Sequence, residues 1–189
     1  ESKLGFITKQ PEVYFSKNKI GLDFDGVTSD TYEVVTDGLK NIFNIEIIPT
    51  DIREWHYVRD VARTRGFGES DAEKAEQYLW YDINYLNTAK PKEGLLDIWN
   101  WFVNHGIFPP IVTSRMSKYR ASTLEWCFEK LPGFKESQLV IQTNSEMPGD
   151  IFKAFMINKL GLNVFIEDWP GQAKNILDYT DAQVILLSN

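Results

Sequence analysis

Ile20-Gly-Leu-Asp-Phe-Asp-Gly-Val-Thr28 is the stretch from which the fold of this chain can be read. Its apolar start, Ile20 to Leu22, reads as a short buried strand, and two carboxylates, Asp23 and Asp25, follow. Residues two apart on a strand point the same way, so both acids are expected to emerge together at its carboxyl end. Gly26 comes next, where the chain can turn sharply without a Cβ penalty. Open α/β sheets place their chemistry at this edge. Neighbouring carboxylates repel, and a hard divalent cation such as Mg2+ is the usual remedy. Taken alone, Asp-x-Asp fits a strand running into an acidic turn equally well, so the rest of the chain has to decide.

Immediately downstream, residues 30–90 read as helical. Val34, Val35, Leu39, Ile42 and Phe43 form a helical stripe over Asp30 to Asn44, and Pro49-Thr50 breaks it. Arg63 to Glu69 reads as a glycine-containing loop, and Ser70-Asp-Ala-Glu73 as a capping box opening one helix to about Leu86. From Pro91 strands and helices alternate. Gly94 to His105 is a helix closed by Gly106, and Ile107 to Thr113 a strand that carries Pro109-Pro110, so that only Ile111-Val112 is expected to pair. Ser117 to Leu131 is helical, Gln138 to Gln142 a strand, Ile151 to Leu160 a helix and Val164 to Glu167 a strand. A helix from Pro170 to about Tyr179 and a strand from Gln183 to Leu187 complete the chain. The pattern predicts an α/β protein: a doubly wound, Rossmann-like parallel five-stranded sheet with an inserted helical cap subdomain. The catalytic core is expected to comprise 1–29 and 91–189, and the cap 30–90. Residues 1–18 read as polar chain with scattered aromatics and carry no legible chemistry.

Composition narrows the partners. The 189 residues carry a net charge of −7, which disfavours polyanions and anionic membranes, while a 43% apolar fraction supports a real core. The single Cys127 has no internal disulfide partner and lies in a helical pattern, as a small core residue would. No apolar run approaches a membrane span, so a cytoplasmic protein is expected, with no nucleic-acid polymer and no membrane as partner; the charge leaves room for a small phosphorylated substrate, and a homodimer is left open.

In a sheet of this kind every strand delivers its carboxyl end to one rim. The first delivers Asp23 and Asp25, the second Thr113-Ser114-Arg115, and the fourth Glu167-Asp168; the helix after the third carries Lys153 in its first turn. Each group has a bland explanation by itself: a helix cap, a solvated loop residue, a surface lysine. Together they are chemically complementary at successive strand ends. Lys159 competes with Lys153, but it lies six residues on, about 9 Å further down a helix that runs away from the rim.

These residues resemble the four motifs of the haloacid dehalogenase-like superfamily over about residues 19–189, with a helical insertion at one of that superfamily's cap positions. Asp-Gly-Val, Val-Thr-Ser-Arg and Phe-Ile-Glu-Asp-Trp-Pro are most similar to its 5'(3')-deoxyribonucleotidase branch. The resemblance implies phosphate-ester hydrolysis, with a (deoxy)nucleoside monophosphate as the favoured substrate. Asp23 is then the nucleophile and Asp25 the general acid and base. Asp23, Asp168 and the main-chain carbonyl of Asp25 hold Mg2+, with Glu167 acting nearby, and Thr113, Ser114 and Lys153 hold the phosphoryl oxygens. Arg115 is expected to touch the phosphate or another substrate group. The acid at Asp25, which the true dehalogenases lack, points to phosphoryl transfer.

Cap contacts are expected from Trp55 and Tyr57, in the least regular part of the insertion, ahead of Trp80, Tyr81 and Tyr85. Two other readings stay open: a phosphatase or mutase for a sugar phosphate or other small metabolite, and a non-catalytic binding protein on the same fold.

Overall fold

β1 (Ile20–Leu22) is the central strand of a five-stranded parallel sheet. The computed structural model describes residues 19–52, 56–143 and 146–187; the segment 1–18 and Trp55 lie outside the described residues. In the helical insertion, α1 (Thr31–Phe43), α2 (Tyr57–Thr64) and α3 (Glu69–Glu76) are followed by a π-helical turn, Gln77–Tyr81, and by α4 (Ile83–Leu86). The core continues through α5 (Leu95–Asn104), β2 (Ile111–Met116), α6 (Arg120–Lys130), β3 (Leu139–Gln142) and α7 (Gly149–Leu160). It ends with β4 (Val164–Glu167), α8 (Pro170–Tyr179) and β5 (Gln183–Leu186).

The strand order is β3-β2-β1-β4-β5, so the chain builds one side of β1, then crosses through α7 to build the other. Side chains alternate across the pleat and give two cores. Ile111 and Val164 join Leu22, Trp99, Phe102, Trp126 and Cys127 on the face covered by α5 and α6. Their strand neighbours Val112 and Phe165 join Phe152, Ile157 and Ile176 on the face covered by α7 and α8. A third apolar cluster, including Val35, Leu39, Val58, Ala75 and Leu79, lies entirely within the insertion. The insertion leaves and rejoins the core at one place. The Asp30 N–H donates to the Lys90 carbonyl and the Lys92 N–H to the Thr28 carbonyl, and the Lys92 ammonium meets Asp30 Oδ1 at 3.1 Å.

Four sequence expectations are corrected. Pro109-Pro110 does not interrupt a strand; it precedes β2, which then runs on to Met116. The missing proline N–H groups cost nothing there, while the carbonyls are used: Pro110 accepts from the Leu22 N–H and Pro109 from the Gln138 side chain. The capping box at Ser70 does not form, because Gly68, in extended conformation, already caps a helix beginning at Glu69. The helix therefore starts two residues before the Asp71 that a Ser70 cap implies, and Glu69 there pairs with Arg63 of α2. Nor does that helix run unbroken to Leu86, since Asp82 accepts from the N–H groups of Asn84 and Tyr85 and starts α4 afresh. The expected loop also starts later than Arg63, which lies in α2. Among the described residues no helix is long and apolar enough to cross a membrane.

Candidate active site

The strand order reverses beside β1, and the carboxyl ends of β1, β2 and β4 meet there at a cavity of about 730 Å³. Asp23 follows β1 directly. Its N–H donates to the Ile166 carbonyl at 2.9 Å and its carbonyl accepts the Thr28 hydroxyl at 2.6 Å, so the backbone is held from both sides. The intervening Phe24 turns into the core, edge-on to Trp126 at 5.0 Å, which sends Asp23 and Asp25 together to the cavity. Gly26 then adopts a φ of 78°. A Cβ there would lie 2.2 Å from Asp168 Oδ2 and 2.6 Å from Tyr32 Cε2, so both the turn and the approach of β4 require glycine.

Lys153 occupies the centre of the site, with 2% of its surface exposed. Its ammonium lies 2.8 Å from Asp23 Oδ2 and 2.9 Å from Glu167 Oε2, and donates as well to Gln172 Oε1 at the start of α8. Lys159, further along α7, is exposed beside Phe155. Both oxygens of Glu167 are engaged, the other accepting the N–H groups of Asp168 and Trp169 at 3.2 Å. Asp168 accepts the Tyr32 hydroxyl, a link from α1 to the end of β4.

Burial governs the electrostatics. It pushes the Asp23 carboxyl up to about 8, against the opposing pull of Lys153. Burial likewise raises Glu167 and Asp168, and the Asp23 charge adds to the shift of Asp168. Burial disfavours the Lys153 ammonium, but Asp23 and Glu167 outweigh it and hold the lysine protonated. Buried Tyr32, facing Asp168, stays a phenol and a donor. Three carboxylates thus share one ammonium. Asp23, Glu167 and Asp168 present oxygens all within 4.8 Å of one another, a donor set that fits a hard divalent cation such as Mg2+.

From β2 come Thr113, Ser114 and Arg115. Thr113 is buried, and its hydroxyl accepts the Arg115 N–H at 3.1 Å. Ser114 Oγ is buried at the cavity wall without a hydrogen-bond partner among the described residues, pressed by the start of α7, where a Cβ on Gly149 would come within 2.6 Å of it. Arg115 is placed otherwise than its expected substrate role suggests. Its Nε and one terminal nitrogen fork onto both Asp25 oxygens at 2.9 and 2.7 Å, and the other terminal nitrogen donates to Asn87 Oδ1 at 2.7 Å.

The insertion closes the cavity from above. Tyr32, Gln77, Trp80, Tyr81 and Asn84 line it, with Trp80 edge-on to Tyr32 at 5.6 Å. A π-helical turn often accompanies a functional site, and this one brings Gln77, Trp80 and Tyr81 to the cavity. Tyr57 is not among the lining residues; it packs against the insertion's own core. The two histidines stay away as well: His56 pairs with buried Glu76 at 2.6 Å, and His105 stacks on Trp101 at the end of α5. Sequence reasoning missed Tyr32 and Gln172. Gln172 was within reach, since the rule that favoured Lys153, first turn of a helix on the active edge, applies equally to the third residue of α8.

No family model and no curated protein matches the sequence. Solved structures do match the fold. A haloacid dehalogenase-like hydrolase from Streptococcus pneumoniae aligns over 91% of this chain and 85% of its own, with a TM-score of 0.58 and 13% identity. A protein from Lactobacillus plantarum provisionally named a phosphoglycolate phosphatase aligns over 88% and 84%, with a TM-score of 0.53 and 12% identity. One from Bacteroides vulgatus provisionally named a beta-phosphoglucomutase aligns over 94% and 88%, with a TM-score of 0.51 and 14% identity. The chain therefore has the fold found in haloacid dehalogenase-like hydrolases.

Proposed function

We propose that the protein is a Mg2+-dependent phosphomonoesterase acting on a small phosphorylated metabolite, with residues 30–90 serving as a cap over the site. One observation carries the reading: buried Lys153 bridges Asp23 and Glu167 beside Asp168 at the floor of a roofed cavity. Asp23 attacks phosphorus and displaces the alcohol oxygen, which takes a proton from Asp25. Water then attacks the aspartyl phosphate, Asp25 takes its proton, and Asp23 is released with inorganic phosphate. Asp23, Asp168 and the main-chain carbonyl of Asp25 hold Mg2+, whose charge offsets that of the phosphoryl group. Thr113, Ser114 and Lys153 hold the phosphoryl oxygens, and the Ser114 hydroxyl, unpaired among the described residues, has a donor to give.

For the substrate, a sugar phosphate or another small phosphorylated metabolite is the better choice. The nucleoside monophosphate favoured by motif resemblance has no counterpart in the names of the solved structures described above, whereas two of those names involve small phosphorylated metabolites. Trp80 and Tyr81 offer faces on which a sugar ring can stack. The test is phosphate release with Mg2+ across hexose phosphates, phosphoglycolate, nucleoside monophosphates and p-nitrophenyl phosphate, beside Asp23→Asn. Release from sugar phosphates, reduced at least about 10⁴-fold in the variant, is expected. Selective release from nucleotides would move the substrate. No release from any ester by folded, Mg2+-loaded protein would overturn the enzyme reading in favour of a binding protein.

A further inference from the structure

We infer that Arg115 is a positioning residue that orients Asp25 toward the leaving group and ties that orientation to the point where the cap rejoins the core. The inference rests on the phosphomonoesterase reading above. Arg115 is 8% exposed, and among the described residues its guanidinium makes four hydrogen bonds. Two form a fork onto the Asp25 carboxylate; the others reach Asn87 Oδ1 at 2.7 Å and Thr123 Oγ1 at 3.4 Å. Beneath it the Phe24 ring lies 4.3 Å away. A guanidinium so occupied has no fork left to offer a phosphate. What it does instead is fix the plane of Asp25.

That plane matters because the two carboxylates flanking Phe24 differ in their surroundings. Asp23 is held by Lys153 deep in the site, whereas the Asp25 side chain is 32% exposed. An aspartate that open has rotamer freedom to lose, and a planar fork removes it in one orientation. Each carboxylate oxygen gives one lone pair to Arg115 and keeps the other for the cavity that Asp25 lines. There it can pass a proton to the departing alcohol, and later accept one from water, while both hydrogen bonds to Arg115 stay in place.

Asn87 connects this pair to the cap. It caps the C-terminal end of α4, accepts from Arg115 and donates to the Ser122 carbonyl at 3.1 Å. It does not line the cavity, and of its neighbours Arg115 is the one that holds Asp25, so a loss confined to the proton-requiring ester marks the route through Arg115. Displacement of α4 draws directly on the nitrogen adjacent to the fork.

The experiment compares two esters of similar bulk whose leaving groups differ in their need for a proton. p-Nitrophenolate departs without one, and the benzyl alkoxide does not. First-turnover release of p-nitrophenolate and of benzyl alcohol is measured for wild type, Arg115→Ala, Arg115→Lys and Asn87→Ala, with Mg2+ present and folding checked by circular dichroism. Arg115→Ala is expected to slow benzyl alcohol release about 100-fold, the scale of a lost general acid, with p-nitrophenolate release within about fivefold of wild type. Added guanidinium ions should restore part of the benzyl loss. Arg115→Lys, with charge but no fork, should remain selective in its deficit, and Asn87→Ala should show the same selectivity at about three- to tenfold. Equal losses on both esters, or none in either Arg115→Ala or Asn87→Ala, would overturn the positioning role. Should Arg115→Ala fail to fold, Asn87→Ala alone decides by the same ratio. Absence of release by wild type from these esters and from the wider panel would overturn the phosphomonoesterase reading, and the role of Arg115 with it.

Discussion

The floor and the roof of the cavity are built on opposite principles. The floor is charge held rigidly: Lys153, Asp23, Glu167 and Asp168 are buried, and each is fixed by a strand end or a helix start. The roof is aromatic and partly open, with Trp80 half-buried and Tyr81 46% exposed on a π-helical turn. Chemistry that is the same for every phosphate ester suits the first kind of construction. Recognition of whatever lies beyond the phosphate suits the second, where a side chain can change without unbalancing a buried ion cluster.

Breaking the floor should have the largest effect. Lys153→Met leaves three buried carboxylates uncompensated, and is expected to lower stability by about 3–5 kcal/mol in chemical denaturation and to abolish turnover. Unchanged stability would mean that the acids find other compensation. Mg2+ should sharpen the same contrast. Added at about 100 times its dissociation constant, it should stabilise the folded protein by about 2.7 kcal/mol, raising the melting temperature by several degrees. Asp168→Asn should lose most of that increment, and Tyr81→Ala none of it. The roof variants Trp80→Ala and Tyr81→Ala should raise KM about tenfold on a substrate with an apolar or ring portion, while first-turnover chemistry on p-nitrophenyl phosphate stays within about threefold. A collapse of that chemistry would show that roof and floor are not separable.

The smallest effect concerns Cys127, in the apolar core beneath Phe24 and Trp126. Burial pushes its thiol up to about 12 from 9.0, so the neutral thiol's contribution to stability is intact below pH 9 and is lost as the pH rises through 12. Alkylation by iodoacetamide should therefore track global unfolding at pH 8, with no fast phase. A fast phase would mean that the floor opens locally.

The same division governs how much of the molecule could be read from its sequence. Asp23, Asp25, Thr113, Ser114, Lys153 and the Glu167-Asp168 pair were legible because strand periodicity and helix direction send them to one edge whatever surrounds them. The roof was not. Choosing Trp55 and Tyr57 over Trp80 and Tyr81 followed regularity of pattern, but Tyr57 packs inward, and the residues that reach the cavity do so from a π-helical turn that no local pattern announced. Arg115 lies on the expected rim, but its fork onto Asp25, 90 residues away in sequence, could not be read from local pattern. The early start at Glu69 turned on Gly68 taking the cap that the pattern at Ser70 claimed.

The paired backbone crossing at Ser29 and Pro91 has a consequence for ancestry. Because the chain departs and returns through neighbouring residues, everything between them hangs from the sheet like a pendant from a single clasp. Insertions, deletions or wholesale replacement inside the pendant leave the strand registers untouched, so a lineage can trade one specificity for another by swapping the pendant while inheriting the chemistry unaltered. Asn87, reaching across to Arg115, and Tyr32, donating to Asp168, would have to be kept in the exchange.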